Sequence, residues 1–414
     1  MFDLIIKNAA QVVTCATEQP KRGKAMLDIG IIHNGAVVIH EGKIIAVDET
    51  EAILAHYRAD RVLDATGKTI CPGFVDPHTH VVYAGNRLDE FEMRIKGATY
   101  MEIMAAGGGI IHTMQAVRQA SVDDLVAETR PRLDTMLRHG TTTVEIKSGY
   151  GLDTESELKM LQAIETLDRI HPIDIVPTFL GAHAIPPGLT AEAYTEQIIH
   201  EMIPAVMAWF NHSHFEQLYI DVFCEENAFN PEQTERILRA GKTAGMGVKA
   251  HVDEFNALGG LDIALRLGAV SVDHLDVTPV DEIKRLAQTD TVGVVIPTIN
   301  FNLGSTQFAN ARAIIDTGGI LALTTDINPG SAPCPSMPFV MALACRYQRL
   351  LPAEALNAST INAAYSIGMG DRVGSIQVGK QADLLILNTR DYRHLMYEFG
   401  GNLVQTIIKN GVIY

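Results

Sequence analysis

The sequence predicts an α/β protein: a TIM (β/α)8 barrel with a small β-sandwich domain built from both chain termini. Three observations carry that expectation. Eight apolar, β-branched runs alternate with amphipathic helical stretches over about 260 residues, the size of such a barrel. Short β-like runs punctuated by turn signals fill both ends of the chain. Seven of the eight central runs lead into a side chain able to bind metal or move a proton, and a barrel of this kind keeps its chemistry at the C-terminal ends of its strands.

In chain order, residues 1–66 read as a small sheet, with AVVIHEGKIIAV breaking into two apolar halves at Glu41-Gly42. The C-terminal end repeats that texture in ADLLILN and VQTIIKNGVIY, where Asn410-Gly411 is a two-residue hairpin signal. The predicted organisation is a composite β-sandwich from 1–66 and 366–414 around a barrel spanning 67–365. The barrel strands are expected at 71–76, 141–147, 173–179, 218–224, 247–252, 269–273, 292–297 and 320–326. Between them, Thr154-x-x-Glu157 reads as a capping box, and Asn230 followed by Pro231 as a helix start.

Composition narrows the partners. The 414 residues carry 33 Lys plus Arg against 49 Asp plus Glu, a formal net charge of −16, which repels phosphate backbones and anionic membrane surfaces. No nucleic acid or membrane partner is expected, and no apolar stretch approaches the roughly 20 residues that would span a bilayer. MFDLIIKNAAQVVTC reads as a strand rather than an export signal. Five scattered cysteines with no Cys-x-x-Cys pair suit a reducing cytoplasm.

The chemistry is read from the residues at the C-terminal end of each strand: His78 and His80, then Tyr150, His183, Glu225, His251 with Glu254, His274 and Asp326. In an extended segment residues i and i+2 share a face, so His78 and His80 can converge on one point. With His251 and Asp326 they supply the three or four N/O ligands of a catalytic metal site, suited to one zinc or iron ion. A bound metal lowers the pKa of water toward 7, and Glu254, His274 and Asp326 are the candidate catalytic proton carriers, with the principal base left open among them. A second His-x-His, His212-Ser213-His214, comes after a helix and precedes a strand. It and His139 are expected at the opposite, structural end of the barrel.

PGFVDPHTH, the fifth-strand histidine in HVDE and the eighth-strand aspartate together resemble the amidohydrolase superfamily. The stretches HTHVVYAGNRLDEFEMRIKG, YMEIMAAGGGI, EIKSGYGL, TFLGAHAIP, HVDEF and TTDINPGS narrow the resemblance to its branch that opens a cyclic amide in histidine degradation. That resemblance covers nearly the whole chain. It implies hydrolysis of 4-imidazolone-5-propanoate to N-formimidoyl-L-glutamate, with His78, His80, His251 and Asp326 as metal ligands. It assigns substrate contacts to Arg87, Tyr150, His183, Glu254, Asn328, Gly330 and Ser331. Two-metal relatives use a carbamylated lysine at the end of strand four; here that strand ends FCEE, so one metal is expected, and Lys147 is expected to make an ion pair or touch substrate.

Arg87 suits a carboxylate clamp, because guanidinium grips a carboxylate bidentately. The backbone N–H groups of Asn328-Pro329-Gly330-Ser331 are expected to hold an oxyanion. Glycines 107–109 are expected to form a close-approach turn or a lid hinge. A small anionic imidazolone substrate and a homodimer complete the expectations. The alternatives are a mononuclear aromatic-ring deaminase of the same superfamily, against which Arg87, SGYG and NPGS argue, and a non-catalytic barrel scaffold, against which the complete ligand set argues.

Overall fold

The structure, a computed structural model, describes residues 1–98, 102 and 108–414. Most of YMEIMAAGGGI, including Gly107 of the expected hinge, lies outside the described residues. The strands run β1 (Phe2–Val13), β2 (Ile31–His40), β3 (Lys43–Glu49), β4 (Ala59–Asp64) and β5 (Thr69–Pro72), then β6 (Phe74–Asp76), β7 (Thr141–Lys147), β8 (Asp174–Ala182), β9 (Tyr219–Cys224), β10 (Gly247–Val252), β11 (Ser271–His274), β12 (Val292–Val295) and β13 (Ile320–Leu323), and finally β14 (Leu384–Leu387), β15 (Val404–Lys409) and β16 (Val412–Ile413).

Strands from the two ends form one mixed sheet in the order β16-β15-β14-β5-β1-β2-β3, with β4 also paired to β1. β1 serves two parallel neighbours in succession, β4 along Phe2–Lys7 and β5 at Gln11 and Val12. The change of partner falls at a register shift between Ile6 and Ala9, where Asn8 has φ 62°. Alternation along these strands separates two apolar faces. Leu4, Ile6, Val37, Ile39, Ile70, Leu384 and Ile386 share one core, while Ile5, Ala36 and Val38 pack on the other side with Ile53 of the helix Thr50–His56. The sheet rolls over the first core until Ile44 N–H donates to Lys380 O at 2.9 Å and Lys43 bridges Gln381.

Strands β6 to β13 are parallel and pair in chain order, an eight-stranded barrel of βα units with each strand close to its predicted place. The first strand differs. Residues 69–72 pair with β1 and β14 in the terminal sheet, and only Phe74–Asp76 belongs to the barrel. Gly73 is the turning point, because a Cβ there would strike the Thr142 side chain. No ladder pairs β13 with β6; side chains cross that seam, and just beyond the strands His80 N–H donates to Ile327 O at 3.0 Å. The fully buried Asp76 carboxylate accepts Thr324 Oγ1 at 2.5 Å, Thr325 Oγ1 at 2.5 Å and Thr325 N–H at 3.1 Å.

Asn230 caps its helix as predicted, in a reciprocal box with Gln233. The Thr154–Glu157 box does not form. Asp153 caps that helix instead, and the buried Glu157 carboxylate accepts the backbone N–H groups of Gly149, Gly151 and Leu152 at 2.7–2.8 Å. Three charge-assisted bonds to one buried carboxylate hold the loop after β7 more firmly than a surface cap does. Among the described residues no helix is long and apolar enough to cross a membrane.

Candidate metal centre

The barrel brings the separated sequence signals to one buried place. His78 and His80 come just after β6, His251 lies near the end of β10, His274 ends β11 and Asp326 comes just after β13. His80 Nε2 lies 3.2 Å from His78 Nε2 and 3.4 Å from His251 Nε2. Asp326 Oδ1 lies 3.5 Å from His78 Nε2 and 3.4 Å from His80 Nε2. The ligand nitrogens of His78, His80 and His251 lie within 4.8 Å of one another, close enough to hold one small cation, and Asp326 Oδ1 stands beside the first two.

The chemistry of the donors agrees with that geometry. Burial, and then neighbouring positive groups, hold His78 and His80 well below the usual imidazole range, leaving the neutral form that binds metal. Asp326 Oδ1 is buried with no hydrogen-bond partner, and burial pushes its carboxyl well above the usual range. A cation beside His78 and His80 would satisfy that oxygen where no donor does. Asp326 (φ 49°) and His274 (φ 82°) both occupy the left-handed region, a conformation non-glycine residues adopt at a cost of about 1–3 kcal/mol.

Behind the histidines stands a layer that the strand ends alone do not reveal. Asp273 Oδ2 lies 2.6 Å from His78 Nδ1, and Asp221 Oδ2 lies 3.0 Å from His251 Nδ1. Both aspartates sit inside apolar strands, and an acidic residue in such a run is the sequence signal that marks them. Lys147 realises the ion-pair alternative, with Nζ 2.7 Å from Glu145 Oε1 and 2.8 Å from Asp221 Oδ2. Burial pushes its ammonium down, but Asp221, Glu145 and Asp273 outweigh that and hold it above the ordinary lysine range.

The remaining predicted residues surround the cluster unequally. His183 stacks on His80 with centroids 4.8 Å apart, and the buried Tyr150 ring lies 5.4 Å from His183 and 5.8 Å from His80. Glu254 Oε2 lies 3.5 Å from His274 Nδ1, and burial followed by Asp276, Asp326 and Glu225 raises its carboxyl well above the usual range. Arg87 Nε donates to Thr113 Oγ1 at 2.9 Å, and its guanidinium abuts Gly330.

The expected oxyanion-binding turn is not formed. Gly330 N–H and Ser331 N–H donate to Asn328 Oδ1 at 2.8 and 2.7 Å, so this side chain folds back on its own turn and occupies those donors. Asn328 Nδ2 meanwhile lies 3.2 Å from Asp326 Oδ2 and 3.0 Å from Ser331 Oγ. Glu225 turns to the loop after β10, accepting Phe255 N–H at 2.9 Å and Asn256 N–H at 3.0 Å. The predicted decoys lie at the other end of the barrel: His214 pairs with Asp168 at 2.6 Å in the loop before β9, and His139 closes the helix Val122–Arg138 before β7.

The family model described as Amidohydrolase family matches residues 69–414. An imidazolonepropionase of Herpetosiphon aurantiacus is 52% identical over 413 residues, covering 99% of this chain and 96% of its own. The imidazolonepropionase of Chloroflexus aggregans is 51% identical over 418 residues, covering 99% and 98%. Among solved structures, an adenosine deaminase from Xanthomonas campestris with bound zinc aligns at TM-score 0.75 and 20% identity, covering 100% and 92%. Escherichia coli guanine deaminase aligns at TM-score 0.75 and 18% identity, covering 99% and 98%. At those identities the likeness to the deaminases is one of fold.

Proposed function

The chain belongs to the amidohydrolase family, and from that premise we infer that it hydrolyses the cyclic amide of 4-imidazolone-5-propanoate to N-formimidoyl-L-glutamate, a step of histidine degradation. The observation that carries this reading is identity at about half of all positions, over nearly full length, to relatives named imidazolonepropionase.

Amidohydrolases are metal-dependent, and His78, His80, His251 and Asp326 would hold one ion, zinc or iron. When bound, such an ion supplies Lewis acidity and makes hydroxide available near neutral pH. The chain's own groups do the rest. Arg87, on the loop after β6, binds the propanoate, and Tyr150 and His183 hold the ring beside the histidine cluster. Asp326, whose carboxyl a bound cation would hold ionised, accepts a proton from water as its oxygen adds to the ring carbonyl carbon. The carbon–nitrogen ring bond then breaks, and the departing nitrogen takes a proton from Glu254, whose carboxyl burial pushes well above the usual range and which faces His274. Asn328 and Ser331 shape the wall beside Asp326 and fix the turn against which Arg87 rests.

The five free cysteines suit a cytoplasmic setting, and a homodimer is the assembly we expect. The test is purified protein with its metal quantified, incubated with 4-imidazolone-5-propanoate and separately with a purine and pyrimidine panel. Ring opening to N-formimidoyl-L-glutamate is expected. Ammonia release from a base without ring opening overturns the reading.

A further inference from the structure

Beneath the histidine cluster the barrel interior holds a buried group of charges, with Lys249 Nζ at its edge, 3.8 Å from Glu145 Oε1. Lys147 Nζ lies 2.7 Å from Glu145 Oε1, 2.8 Å from Asp221 Oδ2 and 3.7 Å from Asp273 Oδ2, and all four side chains are fully buried. The two aspartate oxygens that face the ammonium are the same two that face imidazoles. Asp221 Oδ2 is 3.0 Å from His251 Nδ1, and Asp273 Oδ2 is 2.6 Å from His78 Nδ1. One ammonium therefore stands at the root of two arms ending on histidines carried by β10 and by the segment after β6.

Stability alone is a poor account of this arrangement. Burying charges costs desolvation energy that their attraction often only matches, and apolar replacements of such clusters are frequently neutral or stabilising. What the hub does provide is direction. With Lys147 drawing on Oδ2 of each aspartate, that oxygen stands beside an imidazole Nδ1, in a hydrogen bond at His78 and in a 3.0 Å ion contact at His251, and its charge favours the proton on Nδ1 and leaves Nε2 as the lone-pair donor. Glu145 steadies the hub in turn, taking Thr178 Oγ1 as well as Lys147. Lys249 Nζ donates to Pro77 O at 2.9 Å, immediately before His78.

We propose that Lys147 is a positioning residue of the metal centre: through Asp221 and Asp273 it sets the orientation and tautomer of His251 and His78 together, keeping both Nε2 atoms turned toward the ion. This rests on reading His78, His80, His251 and Asp326 as metal ligands.

The test compares wild type, K147M, K147R and K409M. Metal dissociation constants come from chelator competition, the ligand field from the visible spectrum of cobalt-loaded protein, and kcat and KM from assays at saturating metal. K147M is expected to bind metal about 10–100-fold more weakly, the usual cost of losing an outer partner of a ligand. Its cobalt spectrum should change and its kcat fall while KM holds, and K147R should recover part of each loss. Lys409 is the control, because it is a buried lysine of the terminal sheet, paired with Asp174 at the start of β8 at 2.7 Å and with Asp383 at 2.8 Å, away from the histidine cluster. K409M should lower the melting temperature with metal affinity and spectrum unchanged. A folded K147M with wild-type metal affinity and spectrum overturns the proposal; should K147M not fold, K147Q carries the same reading. Wild type that binds no metal overturns the ligand assignment itself, and the proposal with it.

Discussion

His183 lies flat against His80, ring planes 16° apart, while its Nδ1 sits 3.0 Å from Gly149 O. Burial, then His251, lowers the His183 pKa to about 3, so the ring is neutral at working pH. With Nδ1 engaged by the backbone, Nε2 is the atom left for substrate. His183→Phe keeps the stack and removes that atom. We expect kcat/KM to fall about 10–100-fold, the cost of one unmatched hydrogen bond of about 1–3 kcal/mol, with metal content unchanged. Loss of metal in this variant, measured by elemental analysis, shows instead that the stacked ring supports His80.

His251→Ala removes one corner of the ligand cage and frees Asp221 of its imidazole partner. Metal and turnover should disappear together. A variant with full metal occupancy contradicts the ligand set.

Gly330→Ala tests the clamp from outside it. An added Cβ strikes the Arg87 guanidinium, so Arg87 must turn away from its present seat. KM should rise about tenfold or more with metal retained, in the same direction as Arg87→Ala and to a smaller extent. Equal KM values for wild type and Gly330→Ala remove Arg87 from the carboxylate role.

Asp76→Ala opens the barrel seam. It strips three donors, two threonine hydroxyls and Thr325 N–H, of their shared acceptor in a fully buried setting. A loss of about 3 kcal/mol in unfolding free energy is expected from denaturant titration, since each unmatched buried donor costs about 1–3 kcal/mol. A loss below about 1 kcal/mol means that the seam is closed by other contacts.

Lys380 ties the roll of the terminal sheet, donating to Gly370 O at 2.6 Å and Ser375 Oγ at 2.7 Å. Burial lowers its pKa to about 8, whereas the unfolded chain takes up that proton near 10.4. Between those values the unfolded state binds more protons, so folding gains stability as pH rises and loses it as pH falls through about 8. Lys380→Met cannot titrate. The melting temperature of wild type relative to this variant should climb from pH 8 to pH 10, and a flat difference contradicts the shift.

Legibility tracks the range of the physical signal. Strand and helix periodicity is local, and it locates all eight barrel strands; barrel geometry then separates His78 and His80 from the look-alike pair at 212–214. Sheet membership is not local: Thr69–Pro72 reads like the start of the next strand, and only its pairing with β1 and β14 assigns it to the terminal sheet. Asp221 and Asp273 escape any reading confined to residues after the strands, because these two point inward from within them. At 328–331 the sequence offers a turn with free backbone donors, yet the asparagine at its start competes for those donors itself.

The division of the first strand at Gly73 bears on how the molecule is made. β5 leads directly into β6, so the root of the His78–His80 segment is tied on one side to a strand that pairs Pro72 with Leu384. On the ribosome that partner emerges only after every barrel unit has been synthesised. Contacts so distant along the chain are slow to close. The histidine pair written early in the chain is thus held on one side by a pairing that forms only after the barrel units have been made.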